Sequence, residues 1–413
     1  MKRHFLSIVT SCVLLLAVAT SASAAGFALY EWSARGNALG GTLVGRADDP
    51  SAVAYNPAGI TQLDGTHIAV GVSLASPYTE VVTMDGTDAT TTESKDAVFP
   101  IPHFYVTHKI NDKWAIGFGE FSRFGLGFGY DKDKFPGAYN VYNAEIKTVS
   151  LNPNIAYKIT DRLSAAIGVE YVYVDVAIKK KYHPMLGGTS KLTGSGDGFA
   201  LTAGLHYKLD QWRFGVGYHS QAKIDADGET KISGAASAPG ALPNGSYDTE
   251  TSIVLPDMIS FGITYYPIEE LSIEVAAVNT RWSTYRNFDL SLDTPVGSVP
   301  VDQPKDWKDV WRFSVGAEYD INENWTVRGS YAFDEAPENA KYVDYMIPAA
   351  DRHLIGAGVG YKINNWTIDL AYTYIIAESV DYDKAASLNS SIKPGKSQDG
   401  VTHIGAVTVG YSF

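Results

Sequence analysis

The feature that leaves this chain fewest folds is an alternation of period two that recurs behind an export leader. Along Trp212, Phe214, Val216 and Tyr218 one face is apolar, while Gln211, Arg213, Gly215, Gly217 and His219 make the other. Leu271, Ile273, Val275 and Ala277 stand against Ser272 and Glu274; Trp311, Phe313, Val315, Ala317 and Tyr319 stand against Arg312, Ser314, Glu318 and Asp320. Trp325 to Phe333 and Trp366 to Tyr374 repeat the pattern. Successive strand residues point to opposite faces, so each segment separates an apolar medium from a polar one. A soluble β-sandwich meets the same condition with aliphatic inner faces. Here aromatic residues stand at the strand ends, where bilayer interfaces hold them.

Met1 to Ala24 has the three parts of a secretory signal: basic Lys2 and Arg3, an apolar run from Val13 to Ala19, and the small-residue site Ala22-Ser23-Ala24. That run is too short for a helix to cross a bilayer, which takes about 20 residues. Cys12 is the single cysteine and precedes the apolar run, so cleavage after Ala24 leaves 389 of the 413 residues with no thiol. Removing Lys2 and Arg3 takes the formal net charge from −13 to −15, a balance that argues against a nucleic-acid partner. The mean hydropathy of −0.09 and the lack of a later long apolar run exclude a helical membrane protein. A content of 26 Tyr, 16 Phe, 8 Trp and 39 Gly suits aromatic girdles on alternating strands.

Connection lengths set the topology. Short polar turns fall near Asn111-Asp112, Thr160-Asp161, Leu209-Asp210, Pro267 to Glu270, Asn322 to Asn324 and Asn364-Asn365. Between them lie long stretches at residues 76–100, 122–146, 179–197, 220–250, 282–308, 334–352 and 375–400. Strict alternation of short and long implies about 14 strands with both chain ends on the short-turn side. The expected fold is all-β: a transmembrane antiparallel β-barrel over 66–413 with long external loops. Strand centres are expected near 70, 105, 118, 152, 170, 203, 215, 258, 275, 314, 329, 357, 370 and 407.

Residues 25–65 break this rhythm. Phe27, Leu29, Tyr30, Trp32, Leu39, Leu43, Val44 and Val53 make the segment too apolar for a solvated tether, yet Gly40-Gly41 and Asp48-Asp49-Pro50 interrupt any strand. The segment ends on Tyr55-Asn56-Pro57-Ala58-Gly59, read as a tight turn in which Asn56 is extended, Pro57 fixes φ and Gly59 permits positive φ. A plug, or hatch, inside the lumen is expected.

At this point the chain resembles a known family, the long-chain fatty-acid transporter (FadL/TodX-type) outer-membrane proteins. The resemblance is carried by Ala25-Gly26-Phe27, by Ala47-Asp48-Asp49 leading to Asn56-Pro57-Ala58-Gly59, and by Trp307-Lys308-Asp309-Val310-Trp311-Arg312. It continues in Asn324-Trp325-Thr326-Val327-Arg328 and in Ile347-Pro348 to Asp351-Arg352-His353, in family order over essentially the whole mature chain. The resemblance implies transport of hydrophobic compounds across the bacterial outer membrane. Cargo is captured among the external loops and released sideways into the bilayer past the hatch.

The resemblance also places site residues. The third strand, Trp114 to Phe121, runs into Ser122 to Gly129 and would be the kinked strand beside a lateral gap, with Gly117, Gly119, Gly125 and Gly127 permitting the kink. Phe27 and Ser122 would touch substrate. Of two basic residues that meet a fatty-acid carboxylate in the family, one falls at Lys180. The other falls at Gln303, with Lys305 close but out of register. Neutral aromatic hydrocarbons therefore stay open as cargo, and Lys179-Lys180-Lys181 also reads as a solvated cluster at a loop base. The implied partners are a hydrophobic small molecule, surrounding lipid and lipopolysaccharide, and the barrel-assembly machinery through the last strand, which ends at Phe413.

No cofactor and no metal is expected. The histidines show no ligand-pair spacing, and neither a Gly-x-Ser-x-Gly elbow nor a phosphate loop is present. A hydrolase would need His206 or His219 beside a serine such as Ser220. A general porin or structural barrel is the remaining alternative to a hydrophobic-compound transporter, and an open porin has no use for an apolar plug.

Overall fold

The computed structural model describes residues 26–295, 297–346, 349–383 and 387–413; the expected leader and Ile347-Pro348 lie outside them. In chain order the strands are β1 (Thr66–Asp85), β2 (Asp88–Glu93), β3 (Phe99–Lys109), β4 (Trp114–Phe121), β5 (Gly125–Gly129), β6 (Asn143–Lys158) and β7 (Leu163–His183). Next come β8 (Gly187–Leu209), β9 (Trp212–His219), β10 (Ala222–Ala235), β11 (Gly245–Leu255), β12 (Met258–Ile268), β13 (Leu271–Thr280) and β14 (Leu290–Thr294). The rest are β15 (Gly297–Val301), β16 (Val310–Asp320), β17 (Trp325–Asp334), β18 (Arg352–Ile363), β19 (Trp366–Ala377), β20 (Val380–Tyr382) and β21 (Gly395–Ser412).

Antiparallel pairing runs around a closed ring and returns to its start, because β1 pairs with β21 from His67↔Ser412 onward. Counting β4 with β5, β9 with β10 and β11 with β12 as single interrupted staves, and leaving out β2, β14, β15 and β20, which belong to the external connections, the wall has 14 strands, and all fourteen expected centres fall within them. Closure leaves the wall no long free edge, as hydrocarbon demands of a spanning sheet.

The outward faces carry the apolar half of the alternation. Val70, Phe199, Leu201, Phe313, Val275 and Leu370 are exposed, whereas their neighbours Ser272, Glu274 and Thr264 are buried inside. At the short-turn end, cross-strand rings form a belt. Trp114–Tyr157, Trp212–Tyr265 and Trp325–Tyr361 lie 4.5 Å apart between centroids, and Trp366–Tyr411 lies 4.7 Å apart. Amphipathic rings at that depth suit the headgroup layer.

Several expected long loops are instead strand. β7 and β8 run 21 and 23 residues, about twice what a tilted strand needs to span, and turn over at His183–Gly187 rather than opening across 179–197. Residues 220–250 likewise form the β10–β11 ladder, and β1 continues through 76–85 to pair with β2. Above the bilayer both faces of a strand meet water or other loops, so the apolar alternation that betrays a strand disappears.

Candidate functional site

Residues 27–63 are largely buried against the inner face of the wall and bonded to it on several sides. Ala34–Ala38 and Ala52–Tyr55 are short α-helices, and Pro57–Gln62 is a 3-10 helix. Glu274 of β13 accepts three backbone N–H groups in a row, from Val44 (2.9 Å), Gly45 (3.0 Å) and Arg46 (2.8 Å). Thr264 donates to the same carboxylate at 2.7 Å, and Arg46 reaches the Ser272 and Gly316 carbonyls at 3.1 and 2.9 Å. The side chains of Arg46 and Glu274 are 0 % exposed, so charge, lone pairs and donors are satisfied together.

Asn56 is extended, with φ −160°, and its amide donates to Val44 O (2.8 Å) and to Leu205 O on the wall (3.0 Å). Pro57 begins the 3-10 turn, where its lost N–H costs nothing. Ala58 is buried beside them. Gly59 does not use positive φ, contrary to the expectation. It is glycine because a Cβ would overlap Ala47 O, and it is Ala47 that takes the positive φ of 42°. The wall makes room in the same way, since a side chain at Gly215 or Gly217 would collide with the carbonyls of Val44 or Tyr55.

The third stave is broken. β4 pairs with β3 through Phe104–Lys109, but Phe99–His103 of β3 pair only with β1, and β5 pairs only with β6. Between β4 and β5 lie Ser122, Arg123 and Phe124. The inner segment reaches into this break: Ala28 bridges Phe124, Leu29 N donates to Arg123 O at 2.8 Å, and Gly125 N donates to Phe27 O at 2.9 Å. Gly117 and Gly119 admit Val53 of the inner segment against the wall, Gly125 admits Leu29, and Gly127 lies under the ring of Phe99. Ser122 Oγ donates to Thr148 O (2.6 Å), and its carbonyl accepts from Trp32 Nε1 (2.8 Å). Its polar groups thus hold the break in shape.

Phe27 sits at the centre of an aromatic cage. Its centroid lies 4.7 Å from Trp282, 5.6 Å from Tyr285, 5.8 Å from Phe124 and 6.0 Å from Trp307. An inner apolar cavity is bordered by Phe27, Val174, Ile224, Leu255, Phe288 and Met346, and side chains nearly fill it, leaving about 10 Å³. Beyond it, toward the external loops, an outer cavity of about 200 Å³ is bordered by Lys180, Gln303, Asp344, Ile178, Phe288 and Met346. Lys180 has no carboxylate partner among the described residues. Lys305, out of register in sequence, is buried and ion-paired to Asp344, so its charge is already spent. Sequence reasoning missed Phe288, Met346 and Asp344, which lie in connections without periodicity.

The opposite, short-turn end holds a polar cavity of about 400 Å³. Arg35 of the inner segment binds Asp48 (2.6 Å), Asp49 (2.8 Å) and Glu318 (2.7 Å), and Arg328 links Glu318 to Asp369 at 2.5 Å each. Beside the break, the residues a hydrolase would need are structural. His219 spends one ring nitrogen on Glu170 (2.9 Å) and the other on Ala54 O (2.8 Å), and Ser220 Oγ bonds to backbone groups rather than to an imidazole. Among the described residues no group of three or more His, Cys, Asp or Glu is arranged to hold a metal.

A closed fourteen-stranded antiparallel barrel, apolar outside and ringed with aromatics, is an outer-membrane β-barrel. The model of the family described as outer membrane protein transport protein (OMPP1/FadL/TodX) matches residues 15–413, and the chain belongs to that family of transport proteins, not enzymes. It is 28% identical over 421 residues to a long-chain fatty acid transport protein of Escherichia coli O6:H1, covering 90% of this chain and 92% of that one. Its fold is similar to that of a FadL homologue of Pseudomonas aeruginosa (TM-score 0.81, 19% identity, 94% and 100% covered) and of the toluene transporter TodX of P. putida (TM-score 0.73, 16% identity, 93% and 99% covered). The protein resides in the bacterial outer membrane.

Proposed function

We propose that this barrel takes up amphiphiles with an anionic head and a long apolar tail, such as long-chain fatty acids, and releases them sideways into the outer membrane. The observation that carries this is Lys180, an ammonium without an ion-pair partner among the described residues, at the rim of a largely apolar cavity. A cation so placed is costly unless an anion joins it, and a charge-assisted bond to a carboxylate repays the desolvation. The tail would extend inward past Phe288 toward Phe27. Displacing Phe27 loosens its own bond from Gly125 N and the bond that Leu29 makes to Arg123, which opens the break in the third stave. Residues 25–65 then act as a hatch. Ser122 helps hold the exit, and Gly117, Gly119, Gly125 and Gly127 shape it.

The path straight down favours the sideways exit. It leads to the Arg35–Glu318–Arg328–Asp369 network, and about 0.8 kcal/mol would be lost for each CH₂ moved from an apolar chamber into water. Around the barrel, lipid and lipopolysaccharide receive the cargo, and the strand ending at Phe413 is the signal to the assembly machinery.

Uptake of neutral aromatic hydrocarbons is the second reading. Gln303, uncharged, borders the cavity beside Lys180, and the inner cavity is lined with apolar groups and one phenol. Lys180→Ala separates the two readings. Oleate binding should weaken about tenfold or more, the worth of one charge-assisted bond, with toluene binding unchanged. Equal loss for both ligands would remove Lys180 from the site.

A further inference from the structure

Three residues border both the outer and inner cavities: Ile178 of the β7 wall, Phe288 and Met346. Phe288 and Met346 are 3% and 4% exposed and come from different external connections. Phe288 stands at the root of the β14–β15 hairpin, where its N–H donates to Gln303 O at 2.9 Å and Lys305 N donates to Arg286 O at 2.6 Å. Met346 follows Asp344 in the connection from β17 to β18, and its N–H donates to Asp344 Oδ1 at 2.8 Å. The other oxygen of Asp344 takes the ammonium of Lys305. One carboxylate thus holds the backbone of one wall and the side chain of the opposite one.

We propose that Phe288 and Met346 form a width-selective gate between the two cavities, and that the Lys305–Asp344 ion pair is the strap that sets its aperture. This rests on reading the outer cavity as the capture site. The strap is buried, at 4% and 10% side-chain exposure, where a paired charge adds little net stability over an apolar pair but fixes one geometry. Burial, and then Asp344, push the Glu338 carboxyl well above the usual carboxylate range, which keeps the pair one to one. Methionine has three rotatable bonds and a polarizable thioether, so its side chain can swing aside for a thin chain while the backbone stays strapped. A flexible methylene tail passes such a slot; a rigid cage of similar carbon number does not.

The test holds the head group constant and varies only tail width. Uptake of decanoate and of 1-adamantanecarboxylate is measured in cells in which this barrel is the sole route, with heat-modifiable gel mobility confirming that each variant is folded. The native protein should favour decanoate. Phe288→Ala and the milder Phe288→Leu should lower that preference, the first about tenfold, the scale on which an apolar pocket discriminates by size. Lys305→Met should lower it as well, and the charge swap Lys305→Asp with Asp344→Lys should restore it. Both acids should still depend on Lys180. A preference unchanged in the folded Phe288 and Lys305 variants, while Lys180→Ala still weakens binding, would overturn the gate and leave the capture site standing. Loss of neither preference nor binding in any variant would overturn the gate together with the capture site.

Discussion

Glu274 shows how much of the inner segment hangs on single side chains. Its two oxygens take three consecutive backbone N–H groups, the Thr264 hydroxyl and the Arg46 guanidinium, all out of reach of water. Replacing the carboxylate leaves a buried cation and unpaired donors, a loss of about 3–5 kcal/mol for a broken buried pair. Glu274→Gln should therefore free residues 42–47 without opening the barrel, read as faster amide exchange at Val44, Gly45 and Arg46 with unchanged exchange in β13 and β16. Protection equal to that of the native protein would deny Glu274 this role. In sequence, Glu274 was legible only as a polar residue on an inward face, because its partners in the inner segment are more than 220 positions away. Gly59 was legible as special, but for the wrong reason: close approach to Ala47 and a positive φ leave the same residue type behind. At Lys305 the sequence exposed a cation near the expected position, while Asp344, which spends that charge, lies 39 residues further on.

Among the elements, the barrel strands were read with their centres in place because lipid outside and a polar inner face impose opposite demands on alternate residues. The extensions of β7, β8, β10 and β11 were read as loops, since outside the bilayer those demands vanish. The two short helices of the inner segment are too brief to carry a 3.6-residue signature. Deleting residues 25–65 should raise leakage of small polar solutes and abolish selective uptake in a barrel that still assembles; unchanged permeability would place that segment outside the lumen. The external connection from β17 to β18 should have its own pH dependence. Asp351 accepts the Ala336 N–H at 2.9 Å, and burial, then Glu378 and Glu335, push its carboxyl up to about 8 against the lesser pull of Lys308. With the folded value raised, the protonated form is favoured when the loop is packed. Its stabilisation is complete below the ordinary carboxylate range, near 4, and lost as pH rises through about 8. Amide exchange at Ala336 should accelerate between pH 5 and about 9 beyond the intrinsic rate, and Asp351→Asn should remove that excess. An identical excess in the variant would assign the pH effect to another group.

At the scale of the whole molecule, the apolar exterior, the charged cluster at the short-turn end and the proposed path from the outer cavity to the broken stave would work as one device. The cluster would offer an apolar tail no favourable way down, and the break would offer it a way out that never leaves an apolar medium. The overall architecture was legible because strand number and closure follow from connection parity and from the demand that every backbone group in lipid be paired. The proposed route was not, because Phe27, Phe288 and Met346 are brought together from three well-separated parts of the chain. The claim on which the device depends is that Phe27 to Leu29 must leave the break before cargo can pass. With Cys12 the single native cysteine and inside the expected leader, Ala28→Cys with Phe124→Cys can join the bridged pair by an engineered disulfide, and oleate uptake is then measured in the oxidised and the reduced state. The expected result is uptake blocked when oxidised and restored by reduction, with the barrel folded throughout; equal uptake in both states would contradict exit through the third stave.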